Sequence, residues 1–281
     1  MDRHVWEVAK ARVVVEGGKI VSVGEPLTRF CPVLEALSGK GERSREGVRE
    51  SMERRMELLG LSTPRRVLEL EVLGVGFGAS ECLATALEKG IIETTVTVCD
   101  GAGTVITNKP ELVQGIGMAM SALLETSPLP EVIRRLEEKG AVVLDPSTAK
   151  MDQVEGVKKA LSLGYRKIGV TVMGTEATLI EEMRRVEREK GALLLIIVIH
   201  TTGIGEELVP YLLKADMVHA CASKVVREKI GPSARASFGK SIPVYALTEL
   251  GERVLRMQEE KVGKSERAVK VETPRPPSPL R

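Results

Sequence analysis

Six apolar runs in this chain stop abruptly at a small, polar or reactive cluster. The clusters are Cys99-Asp100-Gly101-Ala102-Gly103-Thr104, Asp145-Pro146-Ser147-Thr148, Met173-Gly174-Thr175, His200-Thr201-Thr202-Gly203, Cys221-Ala222-Ser223-Lys224 and Thr248-Glu249. Most of the runs lead into a segment with helical spacing. Strands alternating with helical crossovers write a sheet covered on both faces, and such sheets bind ligands beyond the carboxyl ends of their strands. The expected fold is therefore α/β: a mostly parallel, doubly wound sheet with helical crossovers, plus a small N-terminal β-hairpin and helical lobe.

The alternation is most regular in the second half. Strands are expected at Ala141–Leu144, Ile168–Val172, Leu193–Ile199, Met217–Ala220 and Pro243–Leu247, with helices between them and one from Glu249 to Lys261. Leu193–Ile199 is apolar without alternation, as a strand buried on both faces must be. In the first half, Arg12–Glu16 and Lys19–Val23 flank Gly17-Gly18, which suits a primed hairpin turn. Arg45–Leu59 carries a helical stripe of Val48, Met52, Met56 and Leu59, with Gly60 as the stop. Val67–Val75 is expected as a strand, and Pro110 opens a helix to about Leu124. The expected division is a lobe over residues 1–62, an α/β domain over 63–262 and a disordered Pro-rich tail over 263–281.

Charge and composition narrow the partners. The net charge is +2 with acids and bases interspersed, and aromatics make up only 2% of residues, so neither a phosphate-tracking arm nor a base-stacking platform is present. Nucleic acid and membrane are not expected partners. The start carries charges without an apolar core, and the longest greasy run is too short to span a bilayer, so a cytoplasmic location is expected. The four cysteines are scattered, with no Cys-x-x-Cys pair, so neither a disulfide framework nor a zinc ribbon is expected.

Each cluster has a chemical reading and a structural one. In the first, Gly101, Gly103 and Thr104 offer backbone and hydroxyl groups to an anion, and Asp100 would orient a hydroxyl or hold a cation; the alternative is a tight hairpin turn. His200 follows the most buried strand, where imidazole suits proton transfer, with Thr201 and Thr202 as ligand contacts or as helix caps. Cys221, with Ser223 and Lys224 after it, is a candidate nucleophile or soft-metal ligand, or else a small apolar filler. Asp145 is an acid–base candidate or a turn former, and Asp152 a helix cap. Cys31, Cys99 and Cys221 together are the candidate metal ligands, and Cys82 is assigned to the core.

The runs Val98–Val105, Gln114–Gly117, Leu144-Asp145-Pro146, Asp152–Val157, His200–Gly203, Ala220–Lys224 and Ser241-Ile242-Pro243, with Cys31-Pro32, resemble the methanogenesis marker protein 8 family, the archaeal DUF2099 proteins. The resemblance covers roughly Val5 to Leu255. It implies an archaeal cytoplasmic protein whose genes accompany methanogenesis, and it supplies no settled reaction. Three readings follow. One is an accessory protein for methyl-coenzyme M reductase, with accessory proteins of that enzyme as partners and Cys31, Cys99 and Cys221 holding an iron–sulfur cluster or another soft metal. A second is an enzyme acting on a small anionic metabolite, with Gly101 and Gly103 cradling a phosphate or carboxylate, His200 as general acid or base, Asp100 or Asp145 orienting it, and Cys221 as a nucleophile. The third is a non-catalytic scaffold.

Overall fold

The computed structural model, which describes residues 2–32, 35, 42–71, 76–117, 121–264 and 275–281, holds two sheets. The smaller sheet is antiparallel. Strands β1 (Arg3–Val8), β2 (Ala11–Glu16) and β3 (Lys19–Val23) form a meander, and β6 (Ala122–Thr126) joins at the β1 edge. The Gly17-Gly18 turn takes positive φ at both residues, as expected. Trp6, Val8, Val13 and Val15 pack on Val48 and Met52 of helix α1 (Arg45–Leu59), which is capped by Ser44 and ended by left-handed Gly60. The lobe thus draws its fourth strand from well beyond residue 62.

The larger sheet has eight strands. In spatial order they are β11 (Ala236–Phe238), β12 (Val244–Ala246), β10 (Met217–His219), β9 (Leu193–Ile199), β8 (Lys167–Met173), β4 (Thr94–Cys99), β5 (Gly103–Thr107) and β7 (Val142–Val143). Only β4, β8, β9 and β10 run parallel; β5, β7, β11 and β12 are antiparallel to their neighbours. The expected mostly parallel sheet is therefore corrected to a mixed one. The physical reason is local: Gly101 and Gly103 at positive φ turn the chain back on itself, so β4 and β5 form a hairpin rather than a crossover.

Helices cover both faces. On one side α5 (Gln153–Ser162) and α6 (Leu179–Lys190) pack on Leu194, Ile196 and Val198; on the other, α2 (Ala79–Glu88) and α8 (Glu249–Gly263) pack on Leu195 and Ile197. Successive β9 residues therefore enter opposite cores, each contributing about 1.5–3 kcal/mol by burial. Helix α3 (Pro110–Gly117) stops earlier than its expected end at Leu124, and Ala122–Thr126 is the strand β6. Helix α4 (Pro130–Glu138) completes that side of the sheet.

Val67–Glu71 has no strand; 72–75 of that expected strand, 33–34 and 36–37 of the apolar stretch after Cys31-Pro32, and 265–274 of the tail lie outside the described residues. The expectation of a disordered tail does not hold for its last seven residues. Ser278 pairs through its backbone with Phe30, and Arg281 exchanges backbone hydrogen bonds with the Ala222–Lys224 loop. Arg275 stacks its guanidinium 3.9 Å from the Phe30 ring centre.

Candidate functional site

The β4–β5 turn, the sharpest cluster in the sequence, is architecture. Asp100 is fully buried and bonds Arg66, also fully buried, at 2.8 Å; its other oxygen accepts from the Ser62 amide at 2.5 Å. Burial disfavours a charged Arg66, but the carboxylate overrides it and the guanidinium is held more firmly charged than usual. Arg66 also donates to the Val67 and Ile116 carbonyls. The Gly101 amide donates to Thr126 Oγ1, and the Gly101 carbonyl accepts from the Leu129 amide. Thr104 donates to Gln153 and accepts from the Asp152 amide. Cys99 is sealed among Leu68, Val105 and Ile116, and burial pushes its thiol up to about 12. None of Asp100, Gly101, Gly103 and Thr104 opens onto the cleft described below, so their acid–base and anion-binding roles are corrected to structural ones.

Asp145 is a half-buried turn former. It accepts from the amides and hydroxyls of Ser147 and Thr148, and those hydrogen bonds lower its carboxyl to about 2. Such a group stays ionised and stands away from the cleft, so it is corrected to a turn residue. Asp152 caps α5 through the Glu155 amide. Ser223 is buried and accepts from the Val226 amide, and Lys224 is exposed. Thr201, also buried, donates to the His219 carbonyl at 2.6 Å, tying the ends of β9 and β10 together.

The His200 and Cys221 clusters face a cleft of about 970 Å³ between the small sheet and the carboxyl ends of β9 and β10. His200, Thr202, His219 and Cys221 supply its polar floor, and Cys31 reaches it from the N-terminal lobe. Thr202 Oγ1 accepts from the Ala222 amide at 3.1 Å, fixing the loop that carries Cys221. An apolar wall comes from Phe77 and Phe238, stacked with ring centres 3.7 Å apart. The volume lies at the upper end of the range for small-molecule sites, ~300–1,000 Å³.

The backbone around the cleft is strained. Six described residues other than glycine have left-handed φ: Ala9, Lys10, Ser62, Ala149, His200 and Cys221. Four of these, Ala9, Lys10, His200 and Cys221, line the cleft. Each such conformation costs on the order of 1–3 kcal/mol, and outliers of this kind gather at functional sites. Its polar groups are also incompletely matched. His219 is 8% exposed and its Nε2 has no hydrogen-bond partner among the described residues. The enclosing protein, then the Lys10 charge, pushes His200 down to about 4; burial, then His200, does the same to His219. Both imidazoles are therefore neutral at neutral pH. Lys10 pairs with Glu7 at 2.8 Å, and Lys240 stands exposed at the cleft.

Among the described residues no three His, Cys, Asp or Glu side chains are disposed to hold one metal ion. With Cys99 sealed, the Cys31–Cys99–Cys221 ligand set is not assembled. Sequence reasoning missed Lys10, Phe77, Phe238 and Lys240. The alternation of His4, Trp6 and Val8 ahead of Ala9-Lys10 signals a strand and turn there; Phe77, Phe238 and Lys240 carried no local pattern.

The comparisons with known proteins support the DUF2099 part of the sequence resemblance. The profile of the family described as "Uncharacterized protein conserved in archaea (DUF2099)" matches residues 4–260. An uncharacterized protein from Methanocaldococcus jannaschii is 44% identical over 258 residues, covering 91% of this chain and 90% of its own. A chain of the F420-reducing NiFe hydrogenase complex from Methanosarcina barkeri aligns over 67% of this chain and 76% of its own, at 10% identity and a TM-score of 0.34, a likeness too low to carry an argument. No helix among the described residues is long and apolar enough to cross a membrane. By profile and by relative, this chain belongs to the archaeal DUF2099 family.

Proposed function

We propose that this chain is an enzyme that binds a small anionic metabolite in the cleft at the ends of β9 and β10, with His200 as its acid–base group. The observation that carries the reading is the convergence on one cavity of two left-handed non-glycine residues outside any hairpin turn, His200 and Cys221, with the buried imidazole of His219, whose Nε2 is unpaired, in its wall. Strain and an unsatisfied buried polar atom both cost stability, and a ligand site is the ordinary reason a fold keeps them together. Lys240, with no ion-pair partner among the described residues, supplies positive charge for the anion beside the Lys10–Glu7 pair and Glu259, and Phe77 with Phe238 an apolar wall. His200, neutral and without a hydrogen bond among the described residues, is free to accept a proton.

The metabolic setting is methanogenesis, supported by the resemblance to methanogenesis marker protein 8 and by the Methanocaldococcus relative. The iron–sulfur reading loses its third thiolate with Cys99, so the metabolite enzyme is preferred to a cluster-bearing accessory of methyl-coenzyme M reductase. A thermal-shift panel of carboxylated and phosphorylated metabolites tests the proposal. A binder is expected whose turnover falls by about 100-fold or more in His200→Ala while binding persists. A panel without a binder, or anaerobically purified protein carrying stoichiometric iron and sulfide, overturns it.

A further inference from the structure

We propose that Cys221 is the nucleophile of this cleft, taking an acyl group from an activated ester or thioester that carries a negative charge, with His200 receiving the thiol proton. The inference rests on the acid–base reading above and names the substrate class of the same site.

The backbone makes the first case. Cys221 sits between strand β10 and the helical turn that begins at Lys224, and it holds φ at +45° without being glycine. A strained strand-to-helix turn lifts a nucleophilic side chain clear of the sheet. The flanking residues are Ala220 and Ala222, too small to cover the sulfur. The loop is pinned by Thr202 on one side and by Arg281 on the other, and the Cys221 carbonyl accepts from Arg227 at 2.8 Å, so the strain is held from outside.

The base is on the neighbouring strand. Strands β9 and β10 are parallel, with Ile197 opposite Met217 and Val198 opposite Val218. His200 directly follows the end of β9 and Cys221 lies two residues beyond β10, so the ends of two adjacent strands, about 4.8 Å apart, deliver both to the cleft. Both residues line the cleft and both are left-handed. His219, 8% exposed with Nε2 unpaired, stands in the same wall and marks the place as one that a ligand completes.

Charge selects the substrate. Lys10 opposes protonation of His200, so a neutral substrate leaves the imidazolium costly. Lys10 is already paired with Glu7, and an anionic group that joins the pair offsets more of that field and makes the imidazole a better base at the moment of attack. Lys240, with no ion-pair partner among the described residues, adds a second positive group at the cleft.

The step balances without an oxidant. The Cys221 S–H proton passes to His200, and the sulfur pair forms a bond to the acyl carbon. The bond from that carbon to the leaving oxygen or sulfur breaks, and the leaving group takes the proton back. Water then attacks the acyl-enzyme thioester, releasing the carboxylic acid and restoring the thiol.

The test uses the full chain with two chromogenic esters, para-nitrophenyl hydrogen succinate and para-nitrophenyl acetate. The anionic ester should give a stoichiometric nitrophenol burst and a succinyl group on Cys221 by peptide mapping, roughly tenfold faster than the neutral ester acylates. His200→Ala should slow acylation about 100-fold, and Cys221→Ser should abolish the mapped thioester. Cys221→Gly, which the left-handed backbone accepts, supplies a folded thiol-free control if the serine variant melts early. Acylation mapped to Cys31 or to lysines, or a rate unchanged in His200→Ala, overturns the proposal. If Cys221→Ser still turns over the ligand found by thermal shift while His200→Ala does not, the nucleophile is wrong and the acid–base reading stands.

Discussion

The β4–β5 turn and the β9–β10 ends lie on the same rim of one sheet and read alike as sequence, each an apolar strand stopping at a cysteine or histidine with polar neighbours. They are built oppositely. In the turn, Asp100 is bonded to Arg66 and Ser62, and the positive φ values fall on Gly101 and Gly103, which tolerate them. At the β9–β10 ends, His219 keeps an unpaired nitrogen, and the positive φ values fall on His200 and Cys221, which do not. Saturated hydrogen bonding on permissive residues makes a joint. Unmet hydrogen bonding on strained residues makes a place for something else to bind.

The largest effect that would sharpen this contrast lies in the joint. Arg66→Met leaves the Asp100 carboxylate buried without its partner, and breaking such a pair costs about 3–5 kcal/mol. Chemical denaturation should show that loss, and the folded fraction should still bind at the cleft. A variant as stable as the parent would show that Asp100 is solvated, and the turn would then return as a candidate site.

Acid should act through the other region. The unfolded chain protonates its histidines near 6.5, whereas folded His200 and His219 resist until about 4. Between those values the unfolded state binds more protons, so stability falls as pH drops through the window and is unaffected by these groups above it. Lys10 faces His200, His200 faces His219, and His4, lowered by burial against the opposing charges of Asp100 and Asp2, adds to the same slope. Melting temperature measured from pH 7 to 4.5 should fall by several degrees, and replacing His200 and His219 with Gln should flatten the curve. An unchanged slope in the double variant would mean that the cleft imidazoles are not held neutral.

Much of this was legible in the residues. The unalternated run Leu193–Ile199 announced a strand buried on both faces, Gly17-Gly18 a hairpin, and Gly60 the end of a helix. His200, Thr202, Cys31 and Cys221 were singled out and do share a cleft. The errors have physical causes. Short strands such as Val142–Val143 and Val244–Ala246 look the same whether they run with or against their neighbours, because direction is set by connections rather than by composition. Ala122–Thr126 follows a helix-forming run, and only pairing with β1 makes it a strand. Asp100 was taken for a chemical group because a buried, paired aspartate and a reactive one have the same letter. What separated them was Arg66, thirty-four residues away in the chain, bonded to it in the fold.

The smallest effects reverse sign between the two regions and so test the comparison most directly. Gly103 has φ near +72°, and a Cβ there would run into the carbonyl of Ala149; Gly103→Ala should therefore destabilise by about 1–3 kcal/mol. Cys221 has φ near +45°, which glycine adopts freely, so Cys221→Gly should stabilise by about 1 kcal/mol after the larger unfolded-state entropy of glycine is taken off. The same substitution removes the thiol on which the acyl chemistry depends. A gain in melting temperature with loss of acylation identifies strain kept for function. A loss of stability in Cys221→Gly, matching that of Gly103→Ala, would mean that the thiol's packing outweighs the backbone strain, and Cys221 would join Cys99 as a structural residue.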